Sequence, residues 1–367
     1  MTEGMGRLVA WLWRARYWVA GVVVVALLVV LPAVLMQGGQ QRTTLRVLTA
    51  GSLMVPFSEI EAQFEQLHPD VDVYIDGHGS IQVIRYVTEL YEEADVMVVA
   101  DYSLIPMLMY DTPMPGTEQA YADWCVEFAT NRLGIAYTAS SKYADEVNES
   151  NWYEVLSRPD VTVGISDARF DACGYRAFMV CQLAETYYDD ASIFESLLGN
   201  GFTRPVTITE DDGVSTVWVP EILEPASDRI ALRGSSVMLL MLVEAGDVDY
   251  AFEYQSVAEQ HGLEFIGLPD GVNLGSADQA GTYSTVNVRL AFQRFVSVEP
   301  EFLGQPIVYG MTIPATAPHP DLAAELVAFI ISPQGQQVLL DSNQPPIVPA
   351  AADNLDCVPG QVRALLE

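Results

Sequence analysis

From residue 45 onward, short apolar segments alternate with segments of helical periodicity, and this alternation limits the chain to few fold types. The apolar segments are near-continuous runs of aliphatic residues, which is typical of strands buried on both faces of a sheet. They are LRVLTA (45–50), VDVYI (71–75), ADVMVVA (94–100), RLGIAYT (132–138), VTVGIS (161–166) and VDYAFEY (248–254). Repeated strand–helix–strand units predict an α/β protein with a parallel, doubly wound sheet.

Two later segments depart from the alternation. Residues 201–233 read as an inserted hairpin or as an irregular excursion, and the sequence leaves their role open. Near the C-terminus, HPDLAAELVAFIISPQGQQVLLDS predicts two helices that separate at Ser332-Pro333, because proline cannot continue a helix. With 367 residues, the chain is long enough for two lobes or domains.

The first 42 residues differ from the rest of the chain. Arg7, Arg14 and Arg16 precede an uncharged apolar run from Tyr17 to Met36. A run of about twenty apolar residues can span a bilayer, and the arginines predict that the N-terminus lies inside. Since no small-x-small cleavage pattern follows Met36, we favour an uncleaved membrane anchor over a signal removed on secretion. Both alternatives predict that the rest of the chain works outside the cytoplasm.

The charge balance excludes one class of partner. The chain has 49 acidic and 17 basic residues, which gives a formal net charge of -32. Nucleic acid requires a basic surface, so we exclude it as a partner. An acidic excess of this size indicates that surface charge keeps the protein soluble. We expect a monomer.

The cysteines indicate neither a disulfide scaffold nor a zinc site. Cys125, Cys173, Cys181 and Cys357 are too few and too scattered for either. Cys173 and Cys181 lie on a predicted helix with a rise of about 12 Å between them, so they cannot pair with each other. A single bridge that involves Cys357 stays open at this stage.

Two loops place small residues and a serine between a predicted strand and a predicted helix. They are Gly51-Ser52 and Gly79-Ser80. Backbone N–H groups at a helix N-terminus carry partial positive charge and bind anions. Ligands of open α/β sheets bind at the carboxyl ends of strands, where both loops lie. The alternative is that each serine only caps its helix.

Two acidic residues lie at or just after the ends of later predicted strands. Asp171 lies between VTVGIS and a helix that begins near Cys173, and Glu253 lies in the aromatic-rich strand end YAFEY. A buried carboxylate is costly unless it is paired or binds a ligand, which makes both residues candidate ligands. The alternatives are an N-cap for Asp171 and an outward-facing acid on an edge strand for Glu253.

From about Leu45 to Pro349 the sequence resembles the archaeal tungstate/molybdate-binding proteins of ABC transporters. The resemblance is carried by AGSLMVPFSEIEAQFEQLHPDVDV, ADVMVVADYSLIP, FATNRLGIAYT, DACGYRAFMVCQLAE and GDVDYAFEYQSVAEQHGLEFIGLPD, together with Gly79-Ser80. The blocks AGSL, CGYR and DYAFEY-SVA-QH in this order are specific together. The closing helical segment is shared with many extracellular binding proteins and is less specific.

The resemblance implies a binding protein, not an enzyme, that needs no cofactor and delivers its oxyanion to a membrane permease. It implies a two-lobed α/β fold similar to type II periplasmic binding proteins, here with an N-terminal transmembrane helix. The expected organisation is 1–42 for anchor and linker, 43–128 with 285–367 for the first lobe, and 129–284 for the second lobe. We expect the first hinge crossing near 125–133.

The resemblance also implies a ligand set. In that family, serines and amides of the first lobe hold the oxyanion oxygens, and two carboxylates of the second lobe bind the metal. By motif position, the oxygen-binding residues are Ser52 and Ser80 with Gly51 and Gly79, and the metal ligands are Asp171 and Glu253. The chain departs from the family at Ala172, where a proline is usual, and its DARFDA approach makes Asp167 an alternative to Asp171. The segments 201–233 and LRGSSVMLL also depart from the family pattern.

This ligand set has a chemical consequence. Two carboxylates that face a dianion repel it, by roughly 4 kcal/mol per charge pair near 4 Å at an effective dielectric of about 20. Molybdenum(VI) and tungsten(VI) are hard centres that accept two further oxygen ligands, so bonds to the metal offset the repulsion. Sulfur does not readily expand in this way, and the carboxylates should therefore select against sulfate.

Three questions stay open at the level of sequence. Tungstate and molybdate have similar size and charge, so the sequence does not rank them. A receptor for another oxyanion or small solute is an alternative function. A hydrolase that uses Asp171 and Glu253 as an acid–base pair, for example on a glycosidic bond, is a second alternative.

Overall fold

Strands and helices alternate through the part of the chain that the structure describes. The structure, a computed structural model, describes residues 42–290 and 300–366. The strands are β1 (Thr43–Ala50), β2 (Val71–His78), β3 (Val96–Val99), β4 (Val126–Thr130), β5 (Leu133–Tyr137), β6 (Val163–Ser166), β7 (Thr207–Asp211), β8 (Val214–Val219), β9 (Ile230–Arg233), β10 (Tyr250–Tyr254), β11 (Glu264–Gly267), β12 (Val286–Leu290), β13 (Glu301–Leu303), β14 (Val308–Thr312) and β15 (Pro346–Ala352). The helices are α1 (Met54–Leu67), α2 (Ser80–Thr88), α3 (Trp152–Leu156), α4 (Ala172–Tyr188), α5 (Val237–Ala245), α6 (Gln255–Gln260), α7 (Ala280–Tyr283), α8 (Pro320–Ile331), α9 (Pro333–Asp341) and α10 (Gly360–Arg363).

Two mixed sheets form the cores of two lobes. The first sheet has the strand order β15-β4-β14-β3-β1-β2, and the second has the order β11-β5-β10-β6-β9. The described residues from 45 to 67 and from 73 onward, which hold most of both sheets, form one compact unit. The predicted α/β class and the two lobes are therefore confirmed.

The prediction of a wholly parallel sheet is wrong. In the first sheet β1 and β3 are parallel, but β14 runs antiparallel to both β3 and β4. In the second sheet β6 is parallel to β9 and β10, whereas β5 is antiparallel to β10 and β11. A strand buried on both faces is apolar whatever direction its neighbours run, so its composition does not reveal direction.

The chain passes from the first sheet to the second between β4 and β5. This crossing lies at Asn131 and Arg132, within the segment predicted for the hinge. The Asn131 amide donates to the Ser256 hydroxyl at 2.8 Å and to the Gln344 Oε1 at 3.3 Å, which fixes the crossing to later parts of the chain. The residue boundaries of the lobes given above stay a prediction.

A third, smaller sheet explains the interruption at 201–233. Strands β7 and β8 form a hairpin whose turn residues Asp212 and Gly213 have φ values of 47° and 79°, as a tight hairpin turn requires. Of the two alternatives for this segment, the hairpin is confirmed. β8 pairs in parallel with β12, which pairs with β13, so residues 286–290 and 301–303 belong to this sheet.

The first helix and the C-terminal helices follow the sequence pattern. In α1, Phe57, Ile60 and Phe64 are buried, and the Phe64 ring contacts Phe329 of α8 with centroids 5.8 Å apart. Leu67 has the same spacing but is exposed, because the helix ends at this residue. The break between α8 and α9 at Ser332 is confirmed, and the Ser332 hydroxyl accepts from the Gly335 N–H at 3.3 Å.

The cysteines and the predicted anchor complete the description. Cys125, Cys173 and Cys181 are buried, Cys357 is exposed, and all four thiols are free in the structure.

Within 42–290 and 300–366, no helix has both the length and the apolarity needed to cross a bilayer. The predicted anchor run, 17–36, lies outside the described residues.

Candidate functional site

Three neighbouring parallel strands of the second sheet end at one place. The strands are β10, β6 and β9, in that spatial order. The loop after β6 carries Asp171, the loop after β9 carries Ser236, and Glu253 lies near the end of β10. Since the carboxyl ends of parallel strands lie at the same sheet edge, residues distant in sequence meet here.

Ser236 joins the two predicted carboxylate ligands. Its backbone N–H donates to Asp171 Oδ2 at 2.9 Å, and its hydroxyl donates to Glu253 Oε1, also at 2.9 Å. The N–H of Tyr254 donates to the same Glu253 oxygen at 2.8 Å. Asp171 is 6% exposed and Glu253 is 1% exposed. The structure therefore brings Asp171 and Glu253 together in a buried setting.

The second oxygen of Glu253 has no partner. Among the described residues, Glu253 Oε2 is a buried polar atom without a hydrogen bond. An unpaired buried carboxylate oxygen is costly, and such atoms are found where a ligand or an ion completes the site. The arrangement thus offers one free carboxylate oxygen at the edge where the three strands end.

Burial controls the protonation of both acids. Burial raises the pKa of Glu253 to about 8, against the opposing effects of the Tyr254 N–H and the Ser236 hydroxyl. Burial also raises the pKa of Asp171, although the Ser236 N–H stabilises its charged form. At neutral pH the Glu253 carboxyl is therefore mainly protonated in the unliganded protein, and a ligand that bonds to it must displace a proton.

The alternative acid, Asp167, has a different setting. Its carboxylate accepts from Arg169 Nε at 2.8 Å and forms an ion pair with the same guanidinium. Its backbone N–H donates to the Arg233 carbonyl at 2.7 Å, which belongs to the pairing of β6 with β9. Asp167 is thus engaged by a cation, whereas Asp171 shares Ser236 with Glu253.

The predicted loops of the first lobe lie at the ends of their strands. Ser52 is in a short 3₁₀ turn directly after β1, and its hydroxyl lies 3.0 Å from the Tyr309 hydroxyl. Ser80 is the first residue of α2, and its hydroxyl accepts from the Ala100 N–H at 2.9 Å. Each serine thus has a tertiary partner, in contrast to the simple capping role considered from sequence.

Glycines allow these loops to approach the second lobe. A Cβ on Gly79 would lie 2.4 Å from the Phe170 carbonyl oxygen and 3.1 Å from Asp171 Cβ. A Cβ on Gly51 would lie 2.9 Å from Cγ2 of Val237, the residue after Ser236. Only glycine fits such close contacts. The first-lobe residues predicted from sequence therefore lie beside the residues that hold the two carboxylates.

The N-terminus of α2 already has an oxygen acceptor. The N–H groups of Ile81 and Gln82 donate to the Phe170 carbonyl at 3.0 and 3.2 Å. Phe170 directly precedes Asp171, so these bonds join the two lobes at the candidate site. Amides at a helix N-terminus attract oxygen acceptors, and here both amides are occupied by a carbonyl oxygen.

A buried ion pair that sequence reasoning missed also joins the lobes. Arg176 of α4 donates to the Ala100 carbonyl at 2.7 Å and to the Tyr254 hydroxyl at 2.9 Å, and its second terminal nitrogen lies 3.3 Å from Asp101 Oδ2. The Tyr175 hydroxyl donates to the same Asp101 oxygen at 2.7 Å. Burial lowers the pKa of a guanidinium, but Tyr254 and Asp101 raise that of Arg176 above its ordinary value. The sequence signal that could have identified this ion pair was Arg176 itself, a charged residue within the otherwise uncharged CGYR block.

Ser236 is the second residue that sequence reasoning missed. It follows β9 and precedes α5 in the run Gly234-Ser235-Ser236. This run repeats the pattern of Gly51-Ser52 and Gly79-Ser80, a glycine and a serine between a strand and a helix. The same rule that selected the first two loops could have selected this one.

Comparisons with known proteins identify the family to which the chain belongs. The profile of the family described as "Bacterial extracellular solute-binding protein" matches residues 45–342. An uncharacterized solute-binding protein of Methanoculleus marisnigri is 42% identical over 327 residues, which cover 89% of this chain and 88% of that protein. The molybdate/tungstate-binding protein WtpA of Pyrococcus abyssi is 38% identical over 336 residues, which cover 90% and 91% of the two chains.

Among solved structures, the periplasmic molybdate-binding protein of Azotobacter vinelandii is similar in fold. The TM-score is 0.51 at 14% identity, and the match covers 82% of this chain and 98% of that one. This likeness supports the two-lobed periplasmic-binding-protein fold expected from the sequence. The profile match and the two relatives lead to one conclusion about the family. The chain belongs to the family of bacterial extracellular solute-binding proteins.

Proposed function

We propose that this protein captures tungstate or molybdate and delivers it to the permease of an ABC transporter. The observation that carries the proposal is the pair of buried carboxylates at Asp171 and Glu253, with Glu253 Oε2 left without a hydrogen bond within residues 42–290 and 300–366. Relatives at 38% and 36% identity, from Pyrococcus abyssi and Thermococcus kodakarensis, are named molybdate/tungstate-binding proteins. Both supports point to the same ligand class.

In this proposal the ligand set is the one expected from sequence. Asp171 and Glu253 each give a carboxylate oxygen to the metal, and the ligand oxygens are held by Ser52, Ser80 and the loop glycines Gly51 and Gly79. The ion pair between Asp167 and Arg169 is the reason to choose Asp171 over Asp167. The two carboxylates disfavour sulfate and phosphate, because those ions gain no metal–oxygen bonds to offset the repulsion.

Ligand entry requires the lobes to separate. The α2 amides donate to the Phe170 carbonyl across the lobes, so an oxyanion can reach these amides only after those bonds break. The lobes then close again about the crossing at Asn131, with a ligand oxygen in the place of the carbonyl. Hinge closure of this kind is common among two-lobed binding proteins.

Calorimetry on the full-length protein tests the proposed ligand. Tungstate and molybdate should each bind at least about 100-fold more tightly than sulfate or phosphate, a difference of about 2.7 kcal/mol. Glu253→Ala should weaken tungstate binding far more than Ser52→Ala. The first change removes a bond to the metal, whereas the second removes only a hydrogen bond. Equal affinity for sulfate and tungstate would overturn the proposal, and comparable losses in the two variants would overturn the metal-binding role of Glu253.

The cellular setting completes the proposal. Because the family is extracellular, the binding body works outside the cytoplasm. We propose that the run 17–36 anchors it to the membrane, that it docks on the permease as a monomer, and that it catalyses no reaction. Membrane fractionation with detection of the intact N-terminus distinguishes an anchor from a removed signal. Light scattering after solubilisation measures the oligomeric state.

A further inference from the structure

We propose that Ser236 is a positioning residue whose hydroxyl determines which oxygen of the Glu253 carboxylate faces the ligand. The inference rests on the proposed function, because it concerns the same two carboxylates. No feature of the sequence resemblance assigns Ser236 a role, and the LRGSSVMLL segment departs from the family pattern.

One residue supplies both donors. The Ser236 N–H donates to Asp171 Oδ2 and its hydroxyl donates to Glu253 Oε1, each at 2.9 Å. Glu253 thus has one oxygen held by the Ser236 hydroxyl and one oxygen left to face elsewhere, whereas Asp171 is also stabilised by the Ser166 hydroxyl and the Cys173 N–H. The remaining Glu253 oxygen, Oε2, is buried and has no hydrogen bond to any residue that the structure describes.

The position of Ser236 is itself fixed. It is the N-cap residue of α5, it is 3% exposed, and its φ and ψ of −65° and −38° are already helical. Its neighbour Val237 packs against the Gly51 loop of the first lobe. The two Ser236 donors are therefore fixed in the fold by the start of α5. A residue that orients a ligand-binding side chain must itself be held in place.

Loss of the hydroxyl would free the Glu253 carboxylate. Oε1 would keep only the Tyr254 N–H, and the terminal torsion of a glutamate has a broad, weakly preferred range. The carboxylate could then rotate and present either oxygen. A metal that needs one oxygen from each of two acids would lose a fixed ligand geometry.

The test compares three changes at Ser236 with one at its neighbour. Ser236→Ala removes the hydroxyl, Ser236→Cys keeps a similar volume but offers only a weak donor, and Ser236→Thr keeps the hydroxyl. Ser235→Ala is the matched control in the same loop. Each full-length variant is titrated with tungstate, and the tungsten L3-edge absorption of the bound ion reports whether it has four or six oxygen neighbours.

The expected pattern separates positioning from folding. Ser236→Ala and Ser236→Cys should bind tungstate about tenfold to 100-fold more weakly, as loss of a hydrogen bond to a charged group implies, and the L3-edge should shift toward four-coordinate tungstate. Ser236→Thr should restore much of the affinity and the six-coordinate spectrum. Ser235→Ala should match the wild type in both measurements.

Two results would overturn the inference. One is an unchanged affinity and spectrum in Ser236→Ala and Ser236→Cys. The other is a loss in Ser236→Thr as large as in Ser236→Ala, because the hydroxyl would then not be the cause. Failure of the proposed function looks different, since the wild type would then bind no tungstate or would bind it as a four-coordinate ion.

Discussion

At the scale of single residues, the site is built from groups that are unfavourable without a ligand. Asp171 and Glu253 are buried acids joined through Ser236, and one Glu253 oxygen has no hydrogen bond among the described residues. Burial raises the pKa of both acids, and at neutral pH it keeps the Glu253 carboxyl mainly protonated. In the proposed binding mode, a metal–oxygen bond replaces the proton that Glu253 holds in the unliganded site.

A proton should accordingly leave when tungstate binds. The pKa of Glu253 is about 8 in the unliganded protein, and only the carboxylate can bond to the metal. At pH 7 we expect release of close to one proton per tungstate, and affinity should rise with pH up to about pH 8. Calorimetry in buffers of different ionisation enthalpy measures the proton count.

A conservative variant provides the control for this prediction. Glu253→Gln has no proton to release, so its residual binding should show no buffer dependence from this group. If the wild-type heat of binding does not depend on the buffer at pH 7, Glu253 is not a protonated acid that becomes a ligand. The expected rise of tungstate affinity with pH follows from the raised pKa of Glu253, since binding must first remove the proton that burial favours.

At the scale of elements, α4 links the two lobes. The helix is buried from Ala172 to Ala184, so its composition shows little amphipathic pattern. Its first turns carry Tyr175 and Arg176, which reach Asp101 at the end of β3. The Tyr175 ring also stacks on Phe302 of the third sheet, with centroids 4.0 Å apart. One helix therefore contacts the second and third sheets and the residues that directly follow β3 of the first sheet.

Asp101→Asn should destabilise the protein and loosen lobe contact. It would leave the Arg176 charge buried without its counterion, and loss of one partner of a buried pair typically costs about 3–5 kcal/mol. Denaturant unfolding measures the loss of stability. Small-angle scattering of the unliganded protein should show a larger radius of gyration, because the broken contact joins the lobes.

Tyr175→Phe is the matched control for the ion pair. It removes only the hydrogen bond to Asp101 and keeps the ring stacked on Phe302, so the loss should be about 1.5–3 kcal/mol or less. The scattering curve should stay close to that of the wild type. Equal stability of Asp101→Asn and the wild type would show that this pair does not hold the lobes together.

At the scale of the whole molecule, acidic repulsion opposes the folded state. The formal net charge is -32, and like charges on a compact surface repel one another. Salt shortens the range of this repulsion from about 10 Å at 0.1 M to about 3 Å at 1 M. The buried acids at the site are shielded from solvent, so salt acts mainly on the surface.

The melting temperature should therefore increase with sodium chloride. A scan from 0.1 to 1 M at pH 7.5 should raise Tm, since screening removes repulsion that the unfolded chain feels less. Near the sequence pI of about 4.2, where the net charge vanishes, the same salt series should have little effect. A flat or falling Tm at pH 7.5 would contradict the account of surface repulsion.

The sequence by itself determined the local features. Runs of apolar residues identified β1, β3, β6 and β10, because burial on both faces is visible in composition alone. The proline at 333 fixed the break between α8 and α9. Asp171 and Glu253 were also recognisable as candidate ligands, since each acid stands out against its apolar neighbours, and their role as ligands stays a prediction.

Only the tertiary structure decided strand direction and the convergence of the site. Asp171 and Ser236 are 65 residues apart, and they meet because β6 and β9 are parallel neighbours. Likewise, the pairing of Arg176 with Asp101 depends on how two lobes close against each other. Sequence patterns report each residue's burial and its near neighbours. They do not report which strands become adjacent, and adjacency is what places these donors and acceptors within hydrogen-bond distance.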